Sequence, residues 1–98
     1  MEQEKQRVEK VLLEINKLLE KHSAVKGVLF GSWAKGTAHT GSDIDIAVFG
    51  VKDMDRLQEE AEELETLYRI DIVDMDTCGN ELLKEDIAEY GRKIYEKI

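Results

Sequence analysis

Val28-Leu29-Phe30-Gly31-Ser32-Trp33-Ala34-Lys35-Gly36, followed beyond Thr37 to Thr40 by Gly41-Ser42-Asp43-Ile44-Asp45-Ile46-Ala47-Val48-Phe49, decides how this chain is built. The leading apolar run stops at a glycine, as a short buried strand does. From Ser32 to Ser42 there is little apolar matter, and only Trp33-Ala34-Lys35 suits a helical turn, so this segment reads as a loop or short helix. Asp43 to Phe49 then alternates, with Asp43 and Asp45 set against Ile44, Ile46 and Val48. That is the period of a strand with one wet and one buried face, and it points both aspartates the same way.

Outward from this centre the pattern changes to helical. Val8, Leu12, Ile15 and Leu19 recur among Glu and Lys, which predicts an amphipathic helix over Glu2 to Lys21, broken by Ser23 to Gly27. A second helix is expected over Asp53 to Leu67, with Met54, Leu57, Ala61, Leu64 and Leu67 on one stripe. Strand character returns from Arg69 to Met75. A third helix is expected from Asn80 to Tyr90, with Leu83 and Ile87 inward and Gly91 as its stop. Arg92 to Ile98 can close the chain as a short strand. No repeat, linker or low-complexity stretch divides residues 1–98, which read as a single domain.

At 98 residues the chain has room for one core, and no apolar run approaches the roughly 18 residues that span a bilayer. Its amino terminus, Met1-Glu2-Gln3-Glu4-Lys5, lacks an apolar signal segment, which leads us to expect a cytoplasmic protein without a membrane partner. Cys78 is the single cysteine and has no partner for an internal disulfide or a zinc site. A formal charge of -8 opposes direct attraction to a nucleic-acid backbone. It suits a metal-bound nucleotide, whose ion brings its own positive charge and seeks carboxylates.

Two aspartates side by side on one strand face repel each other and raise each other's pKa unless a cation sits between them. Magnesium takes hard oxygen ligands and commonly uses one or two carboxylates together with substrate phosphates, and Asp43 with Asp45 supplies that minimum. The plainer alternative is a solvated strand face that happens to be acidic. The turn upstream favours chemistry: Gly31-Ser32 leading into a helical turn offers backbone N–H groups and a hydroxyl to an anion, with no side chain at Gly31 to block approach. Lys35 adds a cation to the same segment.

These residues, Gly31-Ser32-Trp33-Ala34-Lys35-Gly36 and then Gly41-Ser42-Asp43-Ile44-Asp45-Ile46, resemble the signature of the DNA polymerase beta-like nucleotidyltransferase superfamily, and the chain's size and its final Tyr90-Gly91-Arg92-Lys93-Ile94-Tyr95 resemble the minimal nucleotidyltransferase branch. The resemblance implies an α+β, palm-like fold: a small mixed sheet with helices packed on one face. It implies that Gly31 and Ser32, with Lys35 and Ser42, bind the triphosphate of ATP. It implies that Asp43 and Asp45 bind catalytic Mg2+, with two ions in the complete site. The family's third carboxylate lies on a later strand, where Asp71, Asp74 and Asp76 compete. Parity favours Asp71, since Asp74 shares its face with the core-like Ile70 and Ile72. Trp33 stands where many relatives carry arginine, so Lys35 is the remaining cation of the turn.

No module for gripping a primer, template or transfer RNA is evident, so the acceptor site is expected to come from a partner, in a homo- or hetero-oligomer. The branch resembles antitoxins whose partner is a HEPN-domain toxin, and this implies transfer of AMP to a protein hydroxyl or neutralisation by contact. A small-molecule nucleotidyltransferase similar to aminoglycoside-modifying enzymes is the alternative. His39 reads as an exposed loop residue, His22 as a helix-terminal one, and Tyr90 and Tyr95 as packing residues. Glu59, Glu60, Glu62 and Glu63 read as a solvated helix face, with docking of a basic partner the second possibility.

Overall fold

The computed structural model describes residues 2–98, the side chain of Glu2 excepted. The elements run α1 (Glu2–Lys21), β1 (Lys26–Phe30), α2 (Ser32–Lys35), β2 (Ile44–Phe49), α3 (Met54–Glu62), β3 (Ile70–Asp74), α4 (Glu81–Tyr90) and β4 (Arg92–Glu96). They form one four-stranded sheet in the order β3-β2-β1-β4. β1 pairs antiparallel with β2 and with β4, whereas β2 and β3 run parallel, so the sheet is mixed. The parallel pair needs a crossover, and α3 supplies it.

The periodic stripe of α1 is the reason the fold holds. Val8, Leu12, Ile15 and Leu19 are buried against Leu29 of β1, Ile44, Ile46 and Val48 of β2, and Leu57 and Ala61 of α3. Ile15 and Leu19 have no exposed surface, and burying each fully is worth about 1.5–3 kcal/mol. Asp53 caps α3 by accepting from the Arg56 N–H, and Asn80 caps α4 by accepting from Leu83 N–H. Such caps are worth about 1 kcal/mol each.

Helices on one face describes only α1 and α3. A second cluster, Val28, Phe30, Ala47 and Ile87 with Leu83 beside them, lies on the opposite face beneath α4. The physical reason is the strand pattern itself: Val28-Leu29-Phe30 and Ile46-Ala47-Val48 are apolar on both sides, and both sides require cover.

Helix α3 also stops short of the expected Leu67, at Glu62. The Glu63 N–H closes the last turn on the Glu59 and Glu60 carbonyls. Gln58 then fixes the helix beside β3, donating to the Ile70 carbonyl at 3.0 Å and accepting from Ile72 N–H at 3.3 Å. With α3 so placed, residues 63–69 are needed to bring the chain back into β3, and Leu67 is left fully in solvent.

Candidate active site

The registers of β1, β2 and β3 put Asp45 at the centre of a row. Phe30 at the end of β1 is its partner on one side and Asp71 on β3 its partner on the other. All three share the face that carries Ala47, so the two carboxylates are lateral neighbours. Partial burial pushes the Asp45 carboxyl above its ordinary pKa, and the negative charges of Asp71 and Asp43 push it further the same way. Asp43 is exposed just before β2. The Asp71 carboxylate is held by Arg69, whose Nε lies 3.2 Å away.

Gly31 closes the other side of this cluster. It has φ +77°, and a Cβ built there would overlap Asp45 Oδ2 and come within 3.2 Å of its Cγ. Only a residue without a side chain lets the turn lie directly on the carboxylate. Ser32 follows as the first residue of α2, whose N-terminus has no side-chain cap. The helix lasts one turn because Gly36 enters the left-handed region immediately after it.

The other expected nucleotide ligands have partners of their own. Lys35 Nζ pairs with Asp86 Oδ1 of α4 at 2.8 Å and lies over the Tyr90 ring, so both α4 residues face the turn. Hydrogen bonding to Asp86 is the main cause that raises the Lys35 pKa. Ser42 Oγ accepts from His39 N–H at 2.8 Å, and the Ser42 carbonyl accepts from Trp33 Nε1 at 2.9 Å. Trp33 is thus a packing residue here, its ring edge-on to Tyr68 with centroids 6.0 Å apart.

Asp74 and Asp76 serve loops at the far end of the strands. Asp74 accepts from Asp76 N–H and Thr77 Oγ1, and Asp76 accepts from Gly50 N–H. Asp74 pairs in register with Val48, three positions beyond Asp45, which is roughly 10 Å along the strand. His22 and Lys21 both bind Glu60, tying α1 to α3, so that glutamate is a tertiary tether rather than part of a solvated face. Sequence inspection missed Glu4, Tyr68 and Asp86. Each meets its partner only through the fold, Glu4 accepting from Gly41 N–H at 3.0 Å across most of α1, α2 and β1.

The donor set fits a divalent cation. Asp43, Asp45 and Asp71 offer hard oxygen ligands, and a cation would offset both the burial and, after it, the neighbouring negative charges that raise Asp45. Among the described residues no three His, Cys, Asp or Glu side chains already converge as a cage. Arg69 occupies Asp71, and phosphate oxygens commonly supply the remaining ligands of such ions.

A carboxylate row beside a glycine-serine turn on a mixed sheet is the arrangement of a nucleotidyltransferase domain. Residues 13–98 match the family described as Polymerase beta, Nucleotidyltransferase, and the chain belongs to it. It is 35% identical over 71 residues to the Probable protein adenylyltransferase MntA of Haemophilus influenzae, covering 67% of this chain but only 58% of that protein. Among solved structures, one described as a toxin-antitoxin with AMP-PNP is similar with TM-score 0.70 and 29% identity, over 88% of this chain and 73% of that one. A mutant of the toxin-antitoxin MntA-HpeT is similar with TM-score 0.70 and 26% identity over the same shares. Family and mixed fold are therefore those the Gly-Ser and Asp-x-Asp motifs led us to expect.

Proposed function

We propose that this chain is a Mg2+-dependent adenylyltransferase that acts as the antitoxin of a toxin-antitoxin pair, moving AMP from ATP to a hydroxyl of a HEPN-domain partner. The observation that carries this reading is the packing of Gly31 on Asp45, with Asp71 beside it in register. It sets the glycine-serine turn, which would take the anion, against paired carboxylates. The likeness to MntA and to a toxin-antitoxin structure described with AMP-PNP supports the nucleotide and the partner class.

In this reading Gly31 and Ser32 cradle the triphosphate, with Lys35 turned toward it from Asp86 and the Ser42 hydroxyl donating its free proton. Asp43 and Asp45 would hold two Mg2+ ions, joined on the acceptor side by Asp71. Bound there, the ions supply Lewis acidity that activates the acceptor hydroxyl and offsets charge on the leaving phosphate. Asp71, once released by Arg69, takes the acceptor's proton directly or through water. The acceptor oxygen bonds to the α-phosphorus, the bond from that phosphorus to the bridging oxygen breaks, and pyrophosphate leaves with the electron pair.

The test is co-expression with a candidate HEPN-domain partner, followed by incubation of the purified pair with α-labelled ATP and Mg2+. Label on the partner protein in wild type, absent in Asp43→Asn, is the expected result. Label on neither protein, with Asp43→Asn still neutralising, would instead identify a module that acts by contact alone.

A further inference from the structure

The position after Gly31-Ser32 carries the chain's single tryptophan, and its environment differs from that of the carboxylates. Trp33 packs with the cluster beneath α1, whereas Asp45 and Asp71 share the opposite face with Ala47. The indole therefore does not face the carboxylate row. It reaches the loop instead. Nε1 donates to the Ser42 carbonyl, whose peptide bond leads directly into Asp43.

Other contacts close a ring around that loop. Gly41 N–H donates to Glu4 Oε1 of α1 at 3.0 Å. The Glu4 carboxylate lies by the Tyr68 hydroxyl, and the Tyr68 ring returns to Trp33 in the edge-on contact. Inside the loop, Ser42 N–H donates to the His39 carbonyl at 2.9 Å while Ser42 Oγ accepts from His39 N–H. Loops are ordinarily the most mobile parts of a fold. Here α1 through Glu4 and α2 through Trp33 each hold the residues just ahead of Asp43, and Tyr68 before β3 backs both.

We infer that Trp33 is a positioning residue, which braces the 39–42 loop through the Ser42 carbonyl and so fixes Asp43 beside Asp45. The inference rests on the proposed role of Asp43 as a metal ligand. Preorganisation of this kind matters because a carboxylate held near its binding geometry loses less freedom when the ion arrives. A tryptophan at this position exchanges a direct phosphate contact for a fixed metal ligand.

Trp33→Phe keeps a ring against Tyr68 while removing the N–H donor and part of the indole's bulk. Two measurements on the full chain test it: amide hydrogen exchange of residues 39–43 without ligand, and Mn2+ affinity by electron paramagnetic resonance. One hydrogen bond of this kind is worth about 1 kcal/mol, which predicts about fivefold faster exchange and about fivefold weaker Mn2+ binding in Trp33→Phe. Metal-free ATP affinity stays unchanged, and in a transfer assay the loss is recovered at high metal. Unchanged exchange and unchanged Mn2+ affinity would overturn the inference. So would loss of metal-free ATP affinity, which would make Trp33 a nucleotide contact. Failure of the underlying functional reading has a separate signature: wild type would bind no Mn2+ that Asp43→Asn abolishes, while the exchange experiment would still decide the brace.

Discussion

Gly31 rests on the carboxylate of Asp45 so closely that the smallest side chain at position 31 would overlap Oδ2. The glycine-serine turn and the central carboxylate are therefore one packed unit, and neither can be altered alone. Gly31→Ala must also hold φ +77° with ψ -155°, a region essentially confined to glycine and costing about 1–3 kcal/mol for other residues. We expect a loss of about 2–3 kcal/mol in urea unfolding, together with loss of nucleotide binding.

Asp45 carries a cost that a cation should reverse. Its folded pKa is raised, so its contribution to stability is most favourable below the unfolded value of 3.8 and is lost as pH rises through the folded value. At neutral pH Asp45→Asn should therefore stabilise the metal-free protein. Relief of like charges opposite each other on a strand pair is worth about 0.2–1 kcal/mol, a rise in Tm of about 1–8 °C for a domain of this size. Added Mg2+ should raise the wild-type Tm and leave that of Asp45→Asn unmoved. Thermal unfolding with and without the ion checks both signs.

Lys35 is tethered by Asp86 on α4, so under the proposed function a triphosphate would have to compete with that carboxylate. Asp86→Asn should free the lysine and tighten ATP binding a few-fold, whereas Lys35→Ala should weaken it by about tenfold, the loss of one charge-assisted hydrogen bond. Titration calorimetry of both variants distinguishes this from a purely structural ion pair, for which neither affinity would move.

Acid should loosen the contact between α1 and α3. Hydrogen bonds from Lys21 first and His22 second lower Glu60 from 4.5 to about 2. A depressed carboxylate gives stability that is complete above its unfolded pKa and lost as pH falls through its folded one. The Glu60 contribution therefore disappears between pH 4.5 and about 2. Glu60→Gln should have a lower Tm than wild type at pH 7, with the difference shrinking across that interval.

Much of this was legible in the residues because it rests on period and on glycine. The stripe Val8, Leu12, Ile15, Leu19 could bury only as a helix, and Asp43-Ile44-Asp45-Ile46 could present its aspartates only to one side of a strand. What stayed hidden depends on partners distant in sequence. The continued stripe through Leu64 and Leu67 gave no sign that Gln58 would fix α3 early against β3. The second cluster was visible in Val28 and Phe30, but its cover, Ile87, sits in a helix whose docking periodicity alone does not determine. In sequence Trp33 reads only as the absence of an arginine, because its partner, the Ser42 carbonyl, reaches Nε1 only through the folded loop.

Under the proposed function, Asp43, Asp45 and Asp71 with Gly31-Ser32 form one site for a metal-bound nucleotide. The most direct measurement is calorimetric titration of a non-hydrolysable ATP analogue into wild type, Asp43→Asn and Asp45→Asn, each with Mg2+ and with a chelator. Wild type should bind in a Mg2+-dependent manner, and both variants should lose that dependence while unfolding as cooperatively as the parent. Equal binding by all three proteins, indifferent to Mg2+, would contradict the assignment of these aspartates to the site.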